Sequence, residues 1–264
     1  MIKFPTIKRV DLYKNAVTSE QLQLDLAAAQ EFMFDAWETD DQESVLKLIR
    51  KAIKKSPLCA DAYTFYCEIS EEPPESKISN LETALYAASI VLGEDFQEFA
   101  GRFWGFVETR PYMRAKADLA DALWESGNFY PAMAHCREML KLNPNDNQGI
   151  RYLLAGYYLE LEIVDDLALI LDDYSGDTRP YLQYTRALLA YRNSFPDAND
   201  IAKAAIDSNR HIPGLLSKRK LQPKSKSGYI TLGGMDEAIY YVNNNIKPWL
   251  RTSGAIEWLS QIAQ

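Results

Sequence analysis

Apolar positions in the middle of this chain recur at intervals that helices use. From Ala117 the order is Leu119-Ala120, then Leu123-Trp124, a polar turn at Gly127, an aromatic at Phe129, and then Ala132, Cys136 and Met139 before Pro144. Intervals of three and four residues put such side chains on one stripe of each of two helices. Ala120 and Ala132 are small enough to let the two backbones approach. Gly127 can take the positive φ of a tight helix-to-helix turn. Pro144 cannot continue the second helix and so closes the unit. The spacing predicts a helix hairpin over 111–144.

A shift of 34 residues carries Leu119 to Leu153, Leu123 to Tyr157 and Trp124 to Tyr158, and a second shift reaches Ala187, Tyr191 and Arg192. The apolar pattern survives the first shift, although Gly127 maps to Leu161 and Ala132 to Asp166. It is weaker after the second. Upstream, Phe32-Met33, Ala36-Trp37, Val45, Ile49, Ala52-Ile53 and Pro57 fit the same frame. Helix pairs are therefore expected near 19–57, 58–93, 111–144, 145–176 and 178–208, with a break at Glu71-Glu-Pro-Pro74 inside the second. Between the second and third pairs, Phe96, Phe99, Phe103, Trp104 and Phe106 crowd one short stretch. It predicts an extra helix over 94–107 whose rings plug the core.

The large–small pattern resembles the tetratricopeptide repeat, whose signature recurs every 34 residues. That resemblance implies an all-α fold: an α-solenoid of tetratricopeptide-like helix hairpins with a C-terminal helical cap. It also implies that the first helix of each pair lines a concave face. By position, that face takes Gln30, Phe34, Trp37 and Glu38, then Arg114, Asp118, Asp121 and Glu125. Gln148, Arg151, Tyr152, Ala155 and Tyr158 follow, and then Thr185, Arg186, Leu189 and Arg192. Arginines are suited to forked hydrogen bonds with carboxylates, and tyrosines to stacking on peptide planes. The candidate partner-binding residues are Arg114, Arg151, Tyr152, Tyr158, Arg186 and Arg192. The alternative is that these arginines pair with Asp118, Asp121 and Glu125 inside the chain. The carboxylate-clamp form of the repeat needs an Asn where Asp121 stands, which weakens a chaperone-tail reading.

Past Asn209 the pattern changes. Five basic residues fall between Lys218 and Lys226, Gly233-Gly234 opens a helix through Val242, and a last helix holds Trp258 and Leu259. Residues 209–264 are expected to cap the repeats of 1–208. The blocks Asn209-Arg-His211-Ile-Pro213, Lys218 to Leu221, Asp236-Glu-Ala238-Ile239-Tyr240 and Trp249-Leu-Arg251-Thr-Ser-Gly254-Ala255 are similar to the C-terminal region of the suppressor-of-tumorigenicity-seven family. Arg110-Pro111-Tyr112 and Leu142 to Leu154 are similar to bacterial tetratricopeptide proteins that share this tail. The likeness covers roughly 108–264 and implies architecture more than chemistry.

Composition narrows the function classes. With a hydrophobic fraction of 47% and a charged fraction of 25%, the chain reads as folded rather than disordered. Its net charge of −8 argues against a general nucleic-acid partner, which demands surplus Lys and Arg. No secretory signal or membrane span is read, and the default compartment is the cytoplasm, with signal-less export as the other possibility. Cys59, Cys67 and Cys136 form neither a disulfide framework nor a CxxC pair. His135 and His211 lie in no metal-binding spacing, phosphate-binding glycine motifs are missing, and no cofactor or metal is implied. Asn143 to Asn147 reads as an inter-repeat turn. The leading expectation is a non-enzymatic protein-interaction scaffold that binds a partner peptide or helix in its groove. The rivals are a hydrolase or transferase using the groove carboxylates Asp118 and Asp121, and a structural oligomer subunit.

Overall fold

The computed structural model describes residues 20–223 and 230–264, and every regular element among them is helical. Lys224 to Lys226, the end of the basic run, lie outside the described residues, as does the start of the first predicted pair. The chain forms two compact units, one ending at Ile150 and the other beginning at Arg151. The expected boundary at 208/209 falls inside the second unit.

In the first unit, α1 (Glu20–Trp37) packs on α2 (Gln42–Lys55), and α3 (Ala60–Ile69) on α4 (Pro74–Leu92). Local chemistry sets the ends. Asp41 caps α2 by accepting from the Ser44 N–H at 2.8 Å. Pro74 starts α4, where its missing N–H is no loss. Helix α5 (Phe96–Phe99) is a single turn, and α6 (Arg110–Glu125) then packs on α3, on α4 and on α7 (Phe129–Leu142). Ala29, Ala36, Ala84, Ala87, Ala115, Ala120 and Ala132 are completely buried where the helices meet.

The aromatic stretch is not one helix over 94–107. It breaks into a 3-10 turn at Gly93–Asp95, α5, and another 3-10 turn at Phe103–Gly105. Gly101 (φ 87°) interrupts it. Ring packing replaces helical pairing: Phe96, Phe103 and Tyr112 meet edge to face at centroid distances of 4.8, 5.1 and 5.7 Å. The Thr109 hydroxyl donates to the carbonyls of Phe103 and Phe106, tying the stretch to the start of α6.

The second unit takes in α8 (Ile150–Leu161) from Arg151 onward. It continues with α9 (Val164–Asp173), α10 (Pro180–Arg192), α11 (Ala198–Ser208), α12 (Ile212–Leu216), α13 (Met235–Arg251) and α14 (Ala255–Ile262). Helices α10 and α11 pack together, α13 packs on α10, and α14 on α11. The tail is thus part of the core here. Tyr184, Tyr241 and Trp249 are fully buried, and the Trp249 indole N–H donates to the Tyr241 hydroxyl at 2.8 Å. Asn209 ties the end of α11 to the start of α13, donating to the Gly234 carbonyl and to Glu237. Burial of these rings is why residues 209–264 do not separate from 151–208.

One turn recurs. After α6, Gly127 (φ 84°) is left-handed, its N–H reaches the Trp124 carbonyl, and the Asn128 N–H reaches Leu123. These two bonds satisfy carbonyls that the helix end leaves open. After α8, Glu162 is left-handed (φ 59°) and the Ile163 N–H reaches Tyr158. After α10, Ser194 is left-handed (φ 54°) and the Phe195 N–H reaches Ala190. The counterpart of Gly127 is therefore Glu162 rather than Leu161, and the spacing is not a strict 34.

Candidate functional site

The six sequence-chosen residues all make contacts within the chain. Arg114 lies in the first unit, half-exposed on α6. It forms a two-pronged ion pair with Asp61 of α3, at 2.8 and 2.7 Å, although Asp61 itself is only 1% exposed. Its guanidinium also sits 5.8 Å from the Trp37 ring centre on α1. Arg114 thus links three helices. An arginine is needed for this, because only a planar fork meets both oxygens of a buried carboxylate.

The other five lie in the second unit. Arg151 donates to Asp177 at 2.8 Å and stacks 4.2 Å from the Tyr152 ring centre. The Tyr152 hydroxyl donates to the same Asp177 oxygen at 2.8 Å. Burial would raise the Asp177 carboxyl, but the Arg179 N–H, the Tyr152 hydroxyl and Arg151 hold it below the usual carboxylate range. Arg186 donates to the carbonyls of Leu171, Tyr174 and Asp177, bracing the connection from α9 to α10. Arg192 reaches the Thr252 hydroxyl and the carbonyls of Leu159 and Pro248. Tyr158 is buried, as are Ala155, Thr185 and Leu189. The partners of these arginines thus include Asp61, Asp177, the hydroxyls of Tyr152 and Thr252, and main-chain carbonyls.

The first unit presents a different surface. Phe34 and Trp37 on α1 are 49% and 42% exposed, with ring centres 5.6 Å apart. Trp37 continues into the Arg114–Asp61 pair, and beyond it α6 exposes Asp118, Asp121 and Glu125. The spacing 114, 118, 121, 125 keeps these residues on one helical face. On α3, Glu68 is exposed two turns after Asp61. Sequence reading passed over Glu68, although its interval from Asp61 follows the helical period.

Asp118 reaches solvent, yet its neighbourhood disfavours its charge. Desolvation first, then the nearby charges of Glu68 and Asp121, push its carboxyl up to about 7. Arg114 opposes this, with its own fork committed to Asp61. No ion pair of Glu68, Asp118 or Glu125 occurs among the described residues.

Other reactive groups are inert or structural. The thiols of Cys59, Cys67 and Cys136 are free and buried, and burial pushes each up to about 12. Burial depresses His135. Asp146 accepts the Ile150 N–H at 2.7 Å in the Asn143–Asn147 turn. Among the described residues no group of His, Cys, Asp and Glu is arranged to hold a metal ion, and no helix is long and apolar enough to cross a membrane. No family model matches this sequence, and no curated protein matches it either.

Proposed function

We propose that this chain is a tetratricopeptide-like α-solenoid serving as a non-enzymatic interaction scaffold in the cytoplasm. It holds a segment of a partner protein on the face that α1, α3 and α6 share. The left-handed caps at Gly127, Glu162 and Ser194, each closing a first helix before a second, support the hairpin-repeat reading. The observation that carries the function is the exposed Phe34–Trp37 pair, continuous through Arg114 with a row of exposed carboxylates. Two large exposed rings beside polar groups are what protein contacts use as anchors. In this reading Arg114 shapes the face, while Arg151, Arg186 and Arg192 brace the second unit. A benzophenone amino acid at position 34 is expected to crosslink a partner in host extract, and one at Tyr130, exposed on α7, is not. Equal labelling from both positions removes the proposal.

A second reading draws on Asp118. A carboxyl near 7 is suited to donating a proton at neutral pH, so an acid–base hydrolase with Asp118 as the acid is the rival. A panel of ester, glycoside and phosphoester substrates tests it. Turnover lost in Asp118→Asn would establish this reading, and no turnover in the wild type removes it.

A further inference from the structure

The face built by Phe34, Trp37, Arg114, Glu68, Asp118 and Glu125 also constrains the chemistry of what it holds; this step rests on the interaction reading above. Its single arginine is neutralised by Asp61 at 2.7 Å. The exposed charges that remain are carboxylates, and those of Glu68, Asp118 and Glu125 have no ion-pair partner among the described residues. The aromatic pair lies at the end of the face marked by Arg114, while Asp118 and Glu125 run away from it along α6. The span from position 114 to 125 is about 16 Å at 1.5 Å per residue, which an extended strand covers in about five residues.

We propose that the occupant of this face is an extended cationic segment of a partner protein, with lysine or arginine over Glu68, Asp118 and Glu125 and an apolar or arginine side chain against Phe34 and Trp37. Charge complementarity selects it. A cation placed among these carboxylates relieves their mutual repulsion, whereas an acidic segment adds to it. Arginine also gains by stacking on the rings.

Binding is then linked to protons. The charges acting on Asp118 are Glu68 and Asp61 from α3, and Asp121 and Arg114 from its own helix; at the nearby Cys67 thiol, Lys77 of α4 opposes Asp118, lowering what Asp118 raises. An incoming cation favours the ionised carboxylate. Affinity should rise as pH rises through about 7, with proton release on binding.

The test uses the whole chain and two fluorescein-labelled nonapeptides, one alternating arginine with leucine and the other alternating glutamate with leucine. The arginine peptide is expected to bind at least ten-fold more tightly than the glutamate peptide, and more tightly at pH 8 than at pH 6. The double variant Glu68→Gln with Asp118→Asn should weaken it at least ten-fold with helicity unchanged, and Asp118→Asn alone should flatten the pH slope. If Phe34→Ala with Trp37→Ala reduces binding of the glutamate peptide, and that peptide binds as well as the arginine one, the interaction face stands and its cationic occupant falls. If the arginine peptide does not bind, or binds the double variant unchanged, this inference is overturned, and the crosslinking experiment alone then decides the broader reading.

Discussion

At the scale of single residues, energetic consequences follow from what each side chain would leave behind. Arg114→Met strands the Asp61 carboxylate in a site where it is 1% exposed. Removing one partner of a buried ion pair costs on the order of 3 kcal/mol, and Arg114→Met combined with Asp61→Asn should cost less than Arg114→Met alone. Urea denaturation of the two variants checks the order. Asp118 predicts a pH effect with a definite sign. Its folded-state value, about 7, lies above the ordinary carboxylate value, so the unfolded chain releases the proton first as pH rises. Asp118 therefore erodes stability between about pH 4 and 7, and fully above that. Asp118→Asn should raise Tm at pH 8 and leave it nearly unchanged at pH 4. Gly254 resists replacement: its φ is 77°, and an added Cβ would come within 2.6 Å of the Tyr191 hydroxyl. Gly254→Ala should lower stability by at least about 1 kcal/mol from backbone strain alone, read as a lower melting midpoint.

At the scale of helices and turns, the recurring cap explains why the pattern weakens along the chain. Gly127 makes its left-handed turn at no steric cost, whereas Glu162 and Ser194 adopt the same turn with side chains. Ser194→Gly should therefore stabilise the protein by about 1 kcal/mol, with a Tm rise as the readout, and Gly127→Ala should do the opposite by a similar amount. Loss of the glycine did not remove the turn, because the helices on either side impose it. The aromatic stretch shows the converse. Its ring spacing suggested a helix, but Gly101 and Gly105 and the edge-to-face packing of Phe96, Phe103 and Tyr112 favour separate turns. Phe103, with none of its surface exposed, then becomes a core residue without belonging to an α-helix. Phe103→Ala is expected to cost about 3–5 kcal/mol in chemical denaturation.

At the scale of the whole molecule, helix positions were readable from the sequence because they depend on neighbours three and four residues away. The stripe Leu119, Leu123 and the alanines Ala120 and Ala132 placed α6 and α7 nearly as they are found. Distant pairings were not readable in that way. Arg114 and Asp61 are 53 positions apart, and Arg192 reaches Thr252 across 60. Sequence left open whether each arginine is free or paired, because spacing within a helix says which face it shares, not what another helix brings against that face. The same limit hid the grouping of 209–264 with 151–208, since long-range contacts such as those of Tyr184 with Tyr241 and Trp249, and of Arg192 with Thr252, join them. Amphipathic period and turn chemistry, both local, thus determined an all-helical chain and the places of helices such as α6 and α7. Burial and long-range charge pairing, both tertiary, decided which cations are consumed inside and left Phe34, Trp37, Glu68, Asp118 and Glu125 at the surface.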